Sequence, residues 1–427
     1  MQTQRKKYPS RIAAISQVSA FALTSLVSGC SANAQKQPPS FQITSYEISK
    51  DAPPLYRATY FSKHHSFRSG DLVSTNDGVD WETSPSHELE GSLSSKTSRR
   101  SAVSFLYDSH NDRFVSFVNS IDSDTIDLTV SEPPGALNAY YLRYKVSSNL
   151  GASWLFDKPI IQQGNFSASN PFPDVHIGKN AIYLGDRGCN PIITKSGTIL
   201  LPAQMTVLGD DGKLAIPGGN WSYFNVMVLR GKWNPDASIS WKSTRVQADP
   251  KRTTRGLIEP TIRQLPDGRL LMVMRGSNGG KLDADNSLPS YKWYSFSKDD
   301  GVTWSKPEPW GYDDGSLFYS PSSMSTLFHH SSGRVFWVGN ITPTNAKGNL
   351  PRYPLVFGEV NQSNMRLIRS TLLTVDTKKE SDADKGRIDI SHFSVIEDPR
   401  THEIILTYPR NYNSYKSKDW VTVRIKL

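Results

Sequence analysis

Apolar residues along this chain fall in short runs or in strict alternation, and seldom at helical spacing. Arg113-Phe114-Val115-Ser116-Phe117-Val118, Leu270-Leu271-Met272-Val273-Met274 and Ile404-Ile405-Leu406-Thr407-Tyr408 are such runs, bounded by Gly, Pro, Asp or Asn. Runs of this length predict β-strands, because successive side chains face opposite sides of a sheet and the bounding residues favour turns. Five similar turns join strand pairs: Asn111-Asp112, Lys195-Ser196-Gly197, Pro266-Asp267-Gly268, Ser332-Gly333 and Asp398-Pro399-Arg400-Thr401. Each precedes a strand expected near the middle of a sheet, so the pattern predicts an all-β chain of five or more sheets.

One turn recurs with its chemistry written in its letters. In Ser297-Lys298-Asp299-Asp300-Gly301-Val302-Thr303-Trp304, Asp299 can accept hydrogen bonds from backbone N–H groups across the turn. Gly301 supplies the positive φ that the reversal needs, and Trp304 is an apolar plug beneath the loop. Ser74 to Trp81 and Ser147 to Trp154 repeat the skeleton with Asn in the Asp position, and Asp236 to Trp241 is a degraded fourth copy. The four tryptophans stand roughly 60–90 residues apart, about one four-stranded sheet per repeat, which is the signature of a radial β array.

Six blades fit the strands best, with seven as the alternative. Four would carry the tryptophan turns, and a fifth would run through Val335 to Gly339 and Leu355 to Val360. The last would combine Phe393 to Lys426 with an N-terminal strand near Phe41 to Ile48, which removes the exposed edges of an open array. The polar, Gly-rich stretch from Ser277 to Pro289 reads as an insertion on one rim.

The N-terminus reads as a targeting segment. Arg5, Lys6, Lys7 and Arg11 precede an apolar run from Ile12 to about Val27, which Val27-Ser28-Gly29-Cys30 closes. A small-small-Cys ending resembles the lipobox of bacterial lipoproteins and implies lipidation at Cys30; the following Ser31 implies outer-membrane sorting in a Gram-negative cell. The expected organisation is a signal peptide over 1–29, a tether over 30–39 and a propeller over 40–427, lipid-anchored in the cell envelope, with plain secretion as the alternative. Membrane contact would then occur only through the lipid.

Composition narrows the partners. The chain has 427 residues and a formal charge of +9, and removing the leader leaves about +5, a mild basic bias suited to an anionic glycan. No basic tract interleaved with stacking aromatics argues for nucleic acid. Only Cys189 remains after Cys30, so no intramolecular disulfide is available and Cys189 reads as a small buried residue. His64-His65 and His329-His330 are adjacent pairs whose rings would point to opposite faces of a strand, so neither cofactor nor metal is expected. The expected state is a monomer.

Turns of this kind on a six-bladed propeller resemble the sialidases, the Asp-box or BNR-repeat family, and a longer segment extends the resemblance. Ile258-Glu259-Pro260-Thr261-Ile262-Arg263-Gln264-Leu265-Pro266-Asp267-Gly268-Arg269-Leu270-Leu271-Met272-Val273-Met274-Arg275 looks like the sialidase hairpin with a catalytic Glu on one strand and an arginine at the end of the next. The resemblance implies that Glu259 tunes a nucleophile and that Arg275 grips a substrate carboxylate. Arg352, in Pro351-Arg352-Tyr353-Pro354-Leu355, resembles another arginine of the triad; Arg100 resembles the first loosely, and Arg57 competes with it. Planar guanidinium forks suit a carboxylate on chemical grounds as well, since they donate paired hydrogen bonds and stay charged. Among Asp122, Asp124 and Asp127, Asp124 has the spacing implied for the proton donor.

The resemblance breaks at the nucleophile. Ser391-His392-Phe393-Ser394 places Phe393 where the family has a tyrosine, so Tyr353, Tyr408 or His392 would have to serve instead. The expected activity is a sialidase-like glycoside hydrolase acting on an acidic sugar of an extracellular glycan. Two alternatives stand beside it. One is a propeller-type polysaccharide lyase on uronates, with His64, His65 or His176 as base; the other is a non-catalytic carbohydrate-binding propeller.

Overall fold

The computed structural model describes residues 41–53, 58–60, 65–68, 71–74, 82–83, 97–130, 132–185, 189–219 and 221–427. The leader with Cys30, the tether, Arg57, His64 and the turn before Trp81 lie outside the described residues. Strands pair into six antiparallel sheets of four or five strands, in chain order: residues 58–83, 98–159, 182–246, 258–309, 326–376 and 388–426. Gln42–Ser49 completes the sixth sheet by pairing along Ser417–Lys426, with Gln42 opposite Lys426 and Ser49 opposite Trp420. Five blades are thus seen side chain by side chain, and the first sheet stands beside them by backbone pairing alone. No seventh sheet occurs among the described residues.

The apolar runs explain why the sheets stack radially. Ile199–Thr206, Leu270–Arg275, Val335–Asn340 and Ile404–Tyr412 are buried at every position, so each needs apolar cover on both faces. Consecutive sheets supply it to one another. Phe117 packs with Leu201 and Trp241 between the second and third sheets, and Leu200 and Val226 share a cluster with Leu270 and Met272 between the third and fourth. Leu271 and Val273 join Trp337 and Val356 between the fourth and fifth; Phe336 and Phe357 join Leu406 and Val423 between the fifth and sixth. Burial of each such side chain contributes about 1.5–3 kcal/mol. The fold is an all-β β-propeller. Its first strands line a central cavity of about 520 Å³, among them Phe105, Arg263, Phe328 and Ile396.

The recurrent turn joins the third and fourth strands of a sheet. Thr303 donates its N–H to Asp299 Oδ1 at 2.9 Å and its hydroxyl to Oδ2 at 2.6 Å, while the Gly301 N–H, at φ +79°, reaches Ser297 Oγ at 2.9 Å. The copy at Ser147 repeats this: the Ser153 N–H donates to Asn149 Oδ1 and the Gly151 N–H to Ser147 Oγ. Trp304 is half-buried and donates its indole N–H to the Gly301 carbonyl. The degraded copy sits in the same hairpin of the third sheet, but Trp241 is not a plug beneath the turn. It lies on the strand Ile239–Val246, buried in the cluster shared with the second sheet. Cys189 is wholly buried, as its type and isolation predict.

The turn also rivets blades together. Asp300 accepts hydrogen bonds from Ser196 and Thr198 of the third sheet, and its carbonyl accepts from Arg230 Nε at 3.2 Å. Burial pushes the Asp300 pKa up, but the hydroxyl hydrogen bonds outweigh it and the net displacement is downward. A depressed native pKa stabilises the fold above the ordinary aspartate range, and that contribution is lost as pH falls through the depressed value. Asp300→Ala should therefore cost about 1–2 kcal/mol in urea unfolding at neutral pH. The gap to the native protein should close on acidification; a gap that persists unchanged in acid would contradict this account.

Candidate functional site

In every sheet the start of the first strand and the connection from second to third strand open on the same face, opposite the recurrent turns. That face gathers most of the polar residues singled out in the sequence. Glu259 is the second residue of Ile258–Gln264, where a register shift and a left-handed φ of +49° break the ladder. Strain of this kind in a non-glycine residue persists only when its surroundings hold it. The Glu259 N–H donates to Gln204 Oε1 at 2.9 Å. Gly185 packs so closely here that a Cβ would lie 2.7 Å from Gln204 Oε1 and 2.9 Å from Glu259 Cγ.

Arg275 ends the neighbouring strand, opposite Ile258, and the hairpin brings it onto Glu259. Its Nη1 donates to Glu259 Oε1 at 2.6 Å, Nε to Ser322 Oγ at 2.8 Å, and Nη2 to Asn349 Oδ1 at 3.1 Å. The second Glu259 oxygen, Oε2, is buried without a hydrogen-bond partner. Arg352 joins the same network from the second-to-third connection of the fifth sheet. Its Nε donates to the Asn349 carbonyl at 3.4 Å, and Nη1 donates to Tyr415 Oη at 3.1 Å and to Ser391 Oγ at 3.4 Å. Glu259, Arg275 and Arg352 are each no more than 9% exposed.

Three further groups of this face carry no mark in the sequence. The side chain of Arg255, four residues before Glu259, makes neither hydrogen bond nor ion pair among the described residues, and its Nε is buried without a partner. Its guanidinium lies 5.1 Å from the ring centre of Trp221, which is 60% exposed. Burial, followed by the charge of Arg275, pushes its pKa down to about 10. Lys292, directly across the register from Arg275, is fully buried, and burial followed by the Arg275 charge pushes it down to about 7. Tyr415 crowns a turn in which Asn413, Ser414 and Tyr415 all have positive φ, and burial raises its pKa.

The remaining sequence candidates fall elsewhere. Arg100 pairs with Asp122 at 2.8 Å within its own sheet and lies over the Tyr141 ring; no described contact joins it to Arg275 or Arg352. Asp124 is exposed on the loop after Arg113–Asp122, on the same face, without a described contact to Glu259. Phe393 is buried and lines the central cavity, while Tyr408 is fully buried and donates to Asp376 at 3.0 Å. Tyr353 packs against the core between the fifth and sixth sheets. Of the substitutes for the missing tyrosine, His392 stands on this face beside Tyr415, with Nδ1 2.9 Å from Ser391 Oγ and its ring 6.3 Å from that of Tyr415. His176 is exposed on a turn of the third sheet's approach, away from the arginines.

Beside Arg255 lies a cavity of about 180 Å³. Trp221, Asn278, Gly280, Lys347 and Asn349 line it, and no acidic side chain among the described residues does. The insertion from Ser277 to Pro289 forms one wall, braced by Asn278 Nδ2 donating to the Leu288 and Ala346 carbonyls at 2.9 and 2.8 Å. Gly280 allows close approach to the opposite loop, since a Cβ there would meet the Gly218 carbonyl oxygen at 2.2 Å.

Comparison with known proteins agrees with this architecture. No curated protein sequence matches the chain. Among solved structures, the chain is similar to the intramolecular trans-sialidase from Ruminococcus gnavus, at 12% identity over 90% of this chain and 94% of that one, with a TM-score of 0.51. It is also similar to NanB bound to Optactamide, at 14% identity over 86% of this chain and 64% of that one, with a TM-score of 0.50. Identities this low speak for the fold. Residues 74–381 match the BNR repeat-like domain, and the chain belongs to that family, on a sialidase-like β-propeller.

Proposed function

We propose that the six sheets form one six-bladed propeller whose polar face binds the carboxylate of an acidic sugar in an extracellular glycan. The chain would cleave the adjoining glycosidic bond as a sialidase-like hydrolase. The observation that carries this reading is the charge count of the face. Among the described residues, Arg255, Arg275, Arg352, Lys292 and Arg387 face two buried carboxylates, Glu259 and Asp389. Buried cations in excess are costly unless an anion joins them, and a carboxylate matches the guanidinium fork. The Ruminococcus gnavus relative was solved with oseltamivir carboxylate, a ligand of that kind.

In this reading Arg255 and Arg352 grip the carboxylate, and Arg275 supplies its remaining donors while Glu259, Ser322 and Asn349 hold it still. Arg255 takes the place that the sequence offered to Arg100. Glu259 Oε2 is the acceptor left for a water or a substrate hydroxyl, Asp124 is the rim acid that donates a proton, and the cavity beside Trp221 receives the rest of the glycan. A second reading is favoured by Tyr415 and His392 beside Arg352: a lyase that removes the proton next to a uronate carboxylate neutralised by arginine.

Release of reducing ends from sialylated and uronate-containing oligosaccharides tests the first reading. Arg352→Met should raise KM about 100-fold on acidic glycans and leave binding of their methyl esters unchanged. Glu259→Gln should lower kcat instead. Product with ultraviolet absorbance of an unsaturated uronate, abolished by Tyr415→Phe, would decide for the lyase. Glycan binding without product in either assay would leave a carbohydrate-binding propeller. For the envelope location, radiolabelled palmitate should be incorporated into the protein and lost in Cys30→Ala; equal labelling of both would refute the anchor.

A further inference from the structure

Lys292 is an unusual occupant for the middle of a blade. The strand Lys292–Ser297 is buried at four of its six positions, and the lysine is wholly enclosed. A leucine or methionine would avoid the cost of enclosing an ammonium group. Among the described residues its Nζ meets no carboxylate. It donates to the Pro321 carbonyl at 3.3 Å and to the Ser323 carbonyl.

Those two carbonyls flank Ser322, and Ser322 is the residue that holds Arg275. Ser322 Oγ accepts from Arg275 Nε at 2.8 Å, its N–H donates to the Gly348 carbonyl at 2.8 Å, and Ser323 Oγ donates to Asn340 Oδ1 at 2.9 Å. The lysine therefore clips the turn that aims the guanidinium. A neutral donor could satisfy the carbonyls equally well; what an amine adds is a charge that can come and go behind the carboxylate site.

We propose that Lys292 positions Arg275 through the Pro321–Ser323 turn, and that binding of a carboxylate at the arginines is coupled to protonation of the Lys292 amine. The inference rests on the carboxylate reading of this face. In the empty site, burial and the charges of Arg275 and Arg352 hold the amine near neutrality's edge, with a pKa of about 7, against the opposing pull of Glu259. An entering carboxylate offsets the arginines, so one proton moves from buffer to Nζ and no other bond changes. The remaining ionisable groups facing this cluster, among the described residues, are Arg255, Glu259, Tyr183, Tyr415, His392 and Asp389, which is paired with Arg387 at 2.8 Å. Burial raises both tyrosines away from neutrality, which leaves His392 as the competing proton site.

The sign follows from linkage. A group protonated in the complex and neutral in the free protein gives proton uptake on binding, with affinity falling as pH rises above the free value. Calorimetric titration of the full chain with N-acetylneuraminate and with glucuronate, in Hepes and in Tris, reads this directly. At about pH 8 the binding enthalpies in these two buffers should differ by the difference in buffer ionisation enthalpy for close to one proton per ligand, and at about pH 5 those in acetate and in Mes should agree. His392→Gln should keep the uptake and Lys292→Met should abolish it, with about tenfold weaker binding at the lower pH. Ser322→Ala should weaken binding while the uptake persists. Equal enthalpies in both buffers at the higher pH, or uptake lost in His392→Gln, would overturn the proposal while leaving the carboxylate site intact. Should Lys292→Met fail to fold by circular dichroism, the buffer comparison on the native protein and His392→Gln still decides. Absence of binding by both sugars would remove the carboxylate reading and this inference with it.

Discussion

A β-sheet buried on both faces needs two neighbours, and in this protein that need shapes everything else. The second strand of each described blade from the third to the sixth sheet is closed to solvent along its whole length, so no pair of sheets could satisfy the chain. The clusters around Phe117, Leu270, Trp337 and Phe357 each belong to two consecutive sheets and to neither alone. Radial packing has a by-product. It aligns the equivalent connection of every blade on one face, where side chains far apart in sequence meet without any one blade being reshaped.

The two faces divide the labour. On one, the recurrent turns spend their polar groups on each other and on the next blade, as Asp300 does with Ser196 and Thr198. On the other, polar groups stay only partly satisfied. Among the described residues, Glu259 keeps one oxygen unused and the Arg255 guanidinium has no carboxylate, although both are largely buried. Each unpaired buried polar group calls for an explanation, and on this face a bound ligand would supply one.

How much of this was legible depends on how local the signal is. The turn at Ser297 could be read letter by letter because each hydrogen bond joins residues within four positions of one another. The hairpin from Glu259 to Arg275 was legible for the same reason: its two ends return to one place. Arg255 was not, because only the fold brings it beside Trp221, Arg275 and Arg352. Arg100 misleads because an arginine at the start of a first strand reads alike whether it faces a ligand or, as here, Asp122. Trp241 shares the repeat's spacing but lies on a strand, since the degraded turn no longer folds back beneath itself. Phe393 belongs to the cavity wall, and Tyr415 and His392 stand near Arg352 from other elements.

The strand Gln42–Ser49 completes the sixth sheet by pairing with the last strand of the chain, and the hydroxyl of Thr44 reaches the carbonyl of Arg424, 380 residues away. Local hairpins can form as soon as their residues are available, but this contact needs almost the entire polypeptide. A contact between the two ends of the described chain belongs to the class of non-local pairings that slows folding. Without that pairing the backbone groups along Ser417–Lys426 that face Gln42–Ser49 would form an open sheet edge, so the N-terminal strand also serves as the cover of the last one.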